Sequence, residues 1–284
     1  MFDILLDAVI DTVKLIPFLF VTYLLMEWLE HKTSPKTRGI IKSSGKFGPV
    51  FGGLLGALPQ CGFSAAAASL YSGKVITIGT LTAIFLSTSD EMLPIMISEH
   101  APIGLVLGIL GLKALIGAMA GLIIDASIGR NQKIEKIEVG IKNVCRHDNC
   151  HCDSEKGFVK SSIRHTVVIS AFIFVITLIL NILLHFIGEE TLAAVILDRP
   201  ILGPVISSFI GLIPNCAASV AITQLFLGGV ISFGSMMAGL LSGSGVGLLV
   251  LFKVNENIKD NAKILVMIYV IGVICGIAMN LMFG

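Results

Sequence analysis

Charge is what this chain has least of. Asp, Glu, Lys and Arg make up 14% of its 284 residues, against 55% hydrophobic, and the mean hydropathy is +0.92. Soluble domains carry about 25% charged residues, so a water-soluble core is excluded: too much apolar surface would have nowhere to go. A net charge of +1 gives no handle for nucleic acid. No P-loop and no dinucleotide fingerprint is present, which excludes nucleotide-driven work, and nothing points to an enzyme or to a required cofactor. Met1-Phe2-Asp3 lacks the basic n-region of a signal peptide, so no cleaved leader is expected. What remains is an all-α polytopic protein of the cell membrane, with the lipid bilayer as its surroundings and the cytoplasmic membrane of a prokaryote as the expected location.

Six apolar runs, 4–29, 75–97, 103–124, 163–187, 230–252 and 262–283, are about the length of a bilayer-spanning helix. Two more, 48–72 and 203–227, are broken in the middle by Pro59-Gln60-Cys61-Gly62 and Pro214-Asn215-Cys216. Proline frees backbone groups from the helical ladder, and at membrane depth these must be buried by protein or line a cavity.

The two breaks belong to a duplication. Pro59-Gln60-Cys61-Gly62-Phe63-Ser64 recurs as Pro214-Asn215-Cys216-Ala217-Ala218-Ser219, an offset of 155 (214 − 59). Without a gap the same offset pairs Gly56 with Gly211, Gly73 with Gly228, Ser87 with Ser242, Ser89 with Ser244, Gly117 with Gly272 and Gly121 with Gly276. Such repeats are the mark of secondary transporters, whose sites lie where the copies meet.

Basic residues set the expected orientation. Lys32, Lys36, Arg38, Lys42 and Lys46 fall in 31–47, and Arg130, Lys133, Lys136, Lys142, Arg146, Lys156 and Lys160 in 128–162. Both loops are cytoplasmic by the positive-inside rule. They share a side only if the first broken run crosses an even number of times. Loops 98–102 and 188–200 then lie outside, the latter with Arg199 against the trend, while Lys253, Lys259 and Lys263 lie inside. The expected fold is two inverted-topology repeats, each three transmembrane helices plus one broken re-entrant hairpin, or two short spans in its place. Residues 1–127 form the first repeat, 128–162 a cytoplasmic loop and 163–284 the second repeat. A parallel arrangement of the repeats is the alternative.

The paired hairpin motifs, each followed by a Ser-rich break in the next helix, resemble a family of ten-span heavy-metal exporters. Its members are labelled arsenic efflux proteins or manganese transporters. The likeness covers most of the chain. It implies export of a metal or metalloid, with a metal ion as partner, and it carries over no ligand set. Ten spans follow if each hairpin counts as two.

Three groups of residues carry candidate chemistry. At the hairpin tips, Gln60 and Asn215 offer amide oxygens, Cys61 and Cys216 soft sulfur, and Ser64 and Ser219 hydroxyls, beside half-helix ends that bind ions. At the breaks, Ser87-Thr88-Ser89-Asp90-Glu91 corresponds to Ser242-Gly243-Ser244-Gly245 in the other copy. The copies differ in that only the first has acids: Asp90 and Glu91 align with Gly245 and Val246. Acids inside a membrane segment mark an ion or proton path, and carboxylates suit a divalent ion such as manganese. In the loop, Cys145, His147, Cys150, His151 and Cys152 gather three thiols and two imidazoles. The spacing fits no standard zinc ribbon, but a soft or borderline metal ion can be wrapped there as a sensor or loading site. A cytosolic disulfide is not expected.

Other polar positions read more blandly. Asp7, Asp11 and Lys14, and Asn181, His185 and Glu189, form stripes that suit an interfacial helix face. Lys113 lies mid-helix and needs an acidic or carbonyl partner. Gly117-x-x-x-Gly121 and Gly272-x-x-x-Gly276 read as helix-packing motifs. The expected function is a secondary exporter of a divalent cation such as manganese, driven by an ion gradient or the membrane potential. The alternatives are an arsenite or organoarsenical permease using Cys61 and Cys216, an organic-anion transporter, and a membrane metal sensor. The sequence leaves a homodimer open.

Overall fold

A computed structural model describes residues 6, 9–10, 12–13, 16–17, 19–21, 23–24, 47–57, 61–89, 92–127, 158–187 and 200–283. Every regular element among them is α-helix. In chain order these are α1 (Gly48–Gly56), α2 (Cys61–Ser72), α3 (Ile78–Ser87), α4 (Met92–Ser98) and α5 (Ile103–Ser127). Then come α6 (Phe158–Ile187), α7 (Leu202–Gly211), α8 (Cys216–Leu227), α9 (Phe233–Ser242), α10 (Gly247–Val254) and α11 (Ile258–Phe283). The offset of 155 carries the start of α2 to that of α8 (216 − 61), α3 to α9 (233 − 78), α4 to α10 (247 − 92) and α5 to α11 (258 − 103). The helix α6 starts at Phe158, ahead of the 163–187 run read from hydropathy.

Local interactions repeat with the elements. Thr77 caps α3 by accepting from Thr80 N at 3.1 Å, and Ser232 caps α9 by accepting from Ser235 N at 3.3 Å. Gly79 N donates to Asp125 Oδ1 at 2.9 Å, and Gly234 N donates to Asn280 Oδ1 at 2.9 Å. These bonds take up first-turn amides that an isolated helix leaves unpaired. The turns after α2 and α8 also match. Lys74 (φ 60) and Gly229 (φ 71) take the same left-handed conformation at equivalent positions, and glycine adopts it without strain.

Close packing fixes the helix directions. Gly48 of α1 lies on Thr80, Gly52 on Thr80 and Ile84, and Gly56 on Ile84 and Ser87, so α1 runs alongside α3. On α5, Gly117 lies on Ala83 and Ser87, while Gly121 lies on Gly79 and Ala83, so α5 runs against α3. The helix α2 therefore returns along the bundle from the end of α1 to the level where both α1 and α3 begin. The second half packs alike: Gly211 lies on Gly239, Gly272 on Ala238 and Ser242, and Gly276 on Gly234 and Ala238. A Cβ at Gly117 would stand 2.7 Å from the Ala83 carbonyl oxygen, and one at Gly276 would stand 2.6 Å from that of Gly234. The two small-residue motifs are thus where backbones touch.

The halves meet reciprocally, α2 packing on α10 and α8 on α4. Ser64 of α2 lies against Gly247 of α10, and Ser72 Oγ donates to the Val254 carbonyl at 2.7 Å, so α2 and α10 run in one direction. Among the described residues three segments are long and apolar enough to cross a membrane: Ile103–Ser127, Phe233–Val254 and Ile258–Met282. The middle one is 83% buried inside the protein, the outer two 28% and 33%. The segment that carries a break thus forms the interior. The uninterrupted helices turn Leu107, Leu115, Met119, Ile123, Val266, Val270 and Ile274 outward.

Candidate functional site

The breaks in the helices are made by short polar side chains. At the end of α3, Ser87 Oγ donates to the Ala83 carbonyl at 2.8 Å and Thr88 Oγ1 to that of Ile84 at 2.7 Å. Such back-bonding competes with the ladder and loosens a helix. Thr88 then leaves the helical range, with ψ 129, and Ser89 Oγ turns back to the Ser87 carbonyl at 3.1 Å. In the second half Gly243 closes α9 with ψ 84 and Gly245 has φ 53. Ser242 Oγ is 2.7 Å from Ser208 Oγ, which donates to the Ala238 carbonyl at 3.1 Å. Ser244 Oγ is buried without a hydrogen-bond partner.

Between the breaks lies a cavity. The first half lines it with Thr88, Ser89, Met92 and Lys113. The second half lines it with Gly211, Asn215, Ser219, Gly239, Leu240, Gly243 and Gly245. As it stands the cavity has room for about one water molecule. Its most conspicuous member is Lys113, 1% exposed inside the apolar helix α5. The lysine Nζ donates to the carbonyl of Thr88, in the break of the first half, and at 2.8 Å to that of Leu240, in the second half. Burial of an ammonium at membrane depth is costly unless such partners hold it.

Of the sequence-derived candidates, the cavity collects Ser89, Asn215 and Ser219. Asn215 is 4% exposed and its carbonyl accepts from Ala218 N at 3.3 Å, in the first turn of α8. Ser64 is buried where α2 meets Gly247, and Ser87 and Ser242 are buried where Gly56 and Gly272 approach them. Cys61 and Cys216 stand at the first positions of α2 and α8; their side chains lie outside the described part of the structure. Gln60, Asp90, Glu91, the loop residues Cys145, His147, Cys150, His151 and Cys152, and Asp7, Asp11, Lys14 and Glu189 lie outside the described residues altogether. Asn181 and His185 lie on α6, their side chains likewise undescribed. Among the described residues no three His, Cys, Asp or Glu come together.

Lys113, Met92, Gly239 and Leu240 are the site members that motif reading did not collect. A lysine in an otherwise apolar helix is itself a signal, but the Thr88 and Leu240 carbonyls that it meets carry no side-chain signature.

A family model described as "Putative, 10TM heavy-metal exporter" matches residues 1–186 and 153–283. No curated protein matches the chain, and no solved structure does.

Proposed function

The chain belongs to this ten-span heavy-metal exporter family, as a multi-pass protein of the cell membrane, and on that footing we propose that it is a secondary exporter of a divalent cation such as manganese. The observation that carries the proposal is the convergence of carbonyls from both halves on one buried positive charge. Thr88 and Leu240 present their oxygens to the Lys113 ammonium beside the cavity. Carbonyl and carboxylate oxygens are the ligands that hard and borderline divalent ions prefer. Asp90 and Glu91 come directly after Ser89 in sequence and supply the anionic ligands in this reading, with Asn215 and Ser219 as neutral ones. Gln60, Cys61, Ser64 and Cys216 stand at the tips, and Ser87, Ser242 and Ser244 shape the breaks.

The repeats are proposed to be inverted, each three spans and a re-entrant hairpin. Support comes from the helix directions. The helix α2 returns against α3, runs alongside α10, and α10 continues α9 within one apolar segment, Phe233–Val254. That makes α9 run against α3. The nine residues of α1 extend about 13 Å, less than half of a ~30 Å hydrocarbon core, which suits a limb that enters and returns. Rocking of one half against the other around the cavity would then expose it alternately.

A second reading is arsenite or organoarsenical efflux. It is favoured by Cys61 and Cys216, which begin the equivalent helices α2 and α8 and could bind a soft metalloid as thiolates. The test is a metal-resistance panel in cells lacking their own exporters, scored against intracellular metal content. The divalent reading expects expression to lower manganese content and raise manganese resistance. Lowered arsenic content with manganese unchanged selects the second reading. No change in any metal or metalloid turns attention to an organic anion or to a sensing role for the 128–162 loop.

A further inference from the structure

Lys113 meets two backbone carbonyls on the cavity wall. The carbonyls it holds are both freed by the breaks. In a continuing helix the Leu240 carbonyl would accept from the amide of Ser244, but that amide bonds the Ser242 carbonyl at 3.0 Å. Thr88 is the C-cap residue of α3, past the last helical turn. Its carbonyl and that of Leu240 come from different halves and meet on one Nζ. The position equivalent to Lys113 in the second half is Ile268, fully buried (113 + 155). One ammonium therefore serves both breaks, and it does so on the wall of the cavity that also holds Asn215 and Ser219.

A carrier that delivers its ion must turn back empty. Emptied, the site would leave converging carbonyls unpaired in a dry interior, which is costly. We propose that the Thr88 and Leu240 carbonyls form part of the cation site, and that the Lys113 ammonium is a tethered stand-in which the ion displaces on binding and which takes the site back on release. The lysine thereby lets the empty carrier reorient. This rests on the exporter reading above and deepens it, because it assigns oxygens to the site and gives the empty carrier a way to return.

The experiment uses the full chain, purified and reconstituted in liposomes, with radiolabelled manganese. Two rates are read: net efflux into manganese-free medium, and label exchange with equal manganese on both sides. Exchange cycles only the loaded carrier, whereas net efflux requires the empty one to return. Lys113→Met is expected to lower the ratio of net efflux to exchange by about tenfold or more, the factor that follows from unpaired buried carbonyls. A ratio equal to that of the unaltered protein overturns the proposal, as does a parallel loss of both rates in a protein that still reconstitutes as a folded monodisperse species. If Lys113→Met does not fold, Lys113→Arg decides, since it keeps the charge and the donors. A guanidinium that grips both carbonyls is harder to displace, so the manganese concentration for half-maximal exchange should rise; an unchanged value overturns the proposal. Absence of manganese exchange by the unaltered protein would instead remove the exporter reading, and this inference with it.

Discussion

Thr88 and Gly243 stand at equivalent positions and end α3 and α9 by different means. One does so with a hydroxyl bonded back into the helix and an extended ψ, the other with no side chain and a ψ of 84. The residues just beyond them differ more. Asp90 and Glu91 come after the first break, and Gly245 and Val246 after the second. A dehydrated divalent ion needs anionic ligands, because neutral amides do not offset its lost hydration. Asp90→Asn or Glu91→Gln should therefore cut manganese export by about 100-fold or more, the scale of leaving a buried charge without its counter-charge. Cys61→Ser should weaken it less. Efflux assays on the four variants, Cys216→Ser included, give the ranking. Arsenical resistance that depends on Cys61 or Cys216 and survives without Asp90 would reverse it. Equilibrium manganese binding then separates a ligand from a proton carrier, since a carrier variant still binds the ion. At this scale Lys113 was legible as a lysine in an apolar helix that needed a partner. The partners were not legible, because a backbone carbonyl freed by a distant helix break leaves no mark on the residue type that carries it.

At the scale of elements, glycine position separates contact faces from outward ones. A Cβ at Gly272 would meet Ser242 Oγ, Ser208 Oγ and the Ala238 carbonyl, whereas at Gly104, Gly108 and Gly111 it would meet nothing within 4 Å. Gly272→Leu should destabilise the protein by about 1–3 kcal/mol or more through overpacking, and Gly108→Leu should be near neutral. Detergent-solubilised melting curves and membrane abundance check the pair. The Asp125 carboxylate ties α5 to the start of α3, and the Asn280 amide ties α11 to the start of α9 in the same way. Asp125→Asn should keep export, because the second half already uses that residue, while Asp125→Leu strands the Gly79 amide and should lose folded protein. Equal abundance of the two variants would contradict this. Much of this level was readable beforehand. Among the described residues hydropathy located the segments long enough to cross a membrane, 103–127, 233–254 and 258–282, the Ser clusters located the breaks after α3 and α9, and the duplication located the helices that share the offset of 155. Helix ends were less readable, since α6 starts at Phe158 and α11 at Ile258, where polar residues continue the helix beyond the apolar run. The cross-half contacts of α2 with α10 were not readable at all, for they depend on how small residues dock in three dimensions.

At the scale of the whole molecule, α2–α5 recur as α8–α11 among the described residues, and both sets line one cavity. If the halves are inverted, single cysteines placed in 31–47, 128–162 and 253–261 will be reached by an impermeant thiol reagent only from the cytoplasm, and those in 98–102 and 188–200 only from outside. Labelling of 128–162 in intact cells would favour the parallel arrangement. The Cys and His loop is expected to be separable from transport. Changing Cys145, Cys150 and Cys152 together to Ser should abolish metal binding by the loop within the full chain and leave maximal efflux largely intact, whereas loss of efflux in a normally inserted protein would make the loop part of the path. The central claim is that cargo passes through the cavity between the breaks. Gly243 lies on its wall, with a conformation open to other residues (φ −73) and the Gly239 and Leu240 carbonyl oxygens 3.3 and 3.6 Å from where a Cβ would be, so Gly243→Leu fills the cavity from one side. Manganese flux through liposomes holding the purified protein, with and without this substitution, is the direct measurement. The account predicts saturable flux by the unaltered protein and its loss in a Gly243→Leu protein that melts within a few degrees of it; undiminished flux through the filled cavity would contradict it.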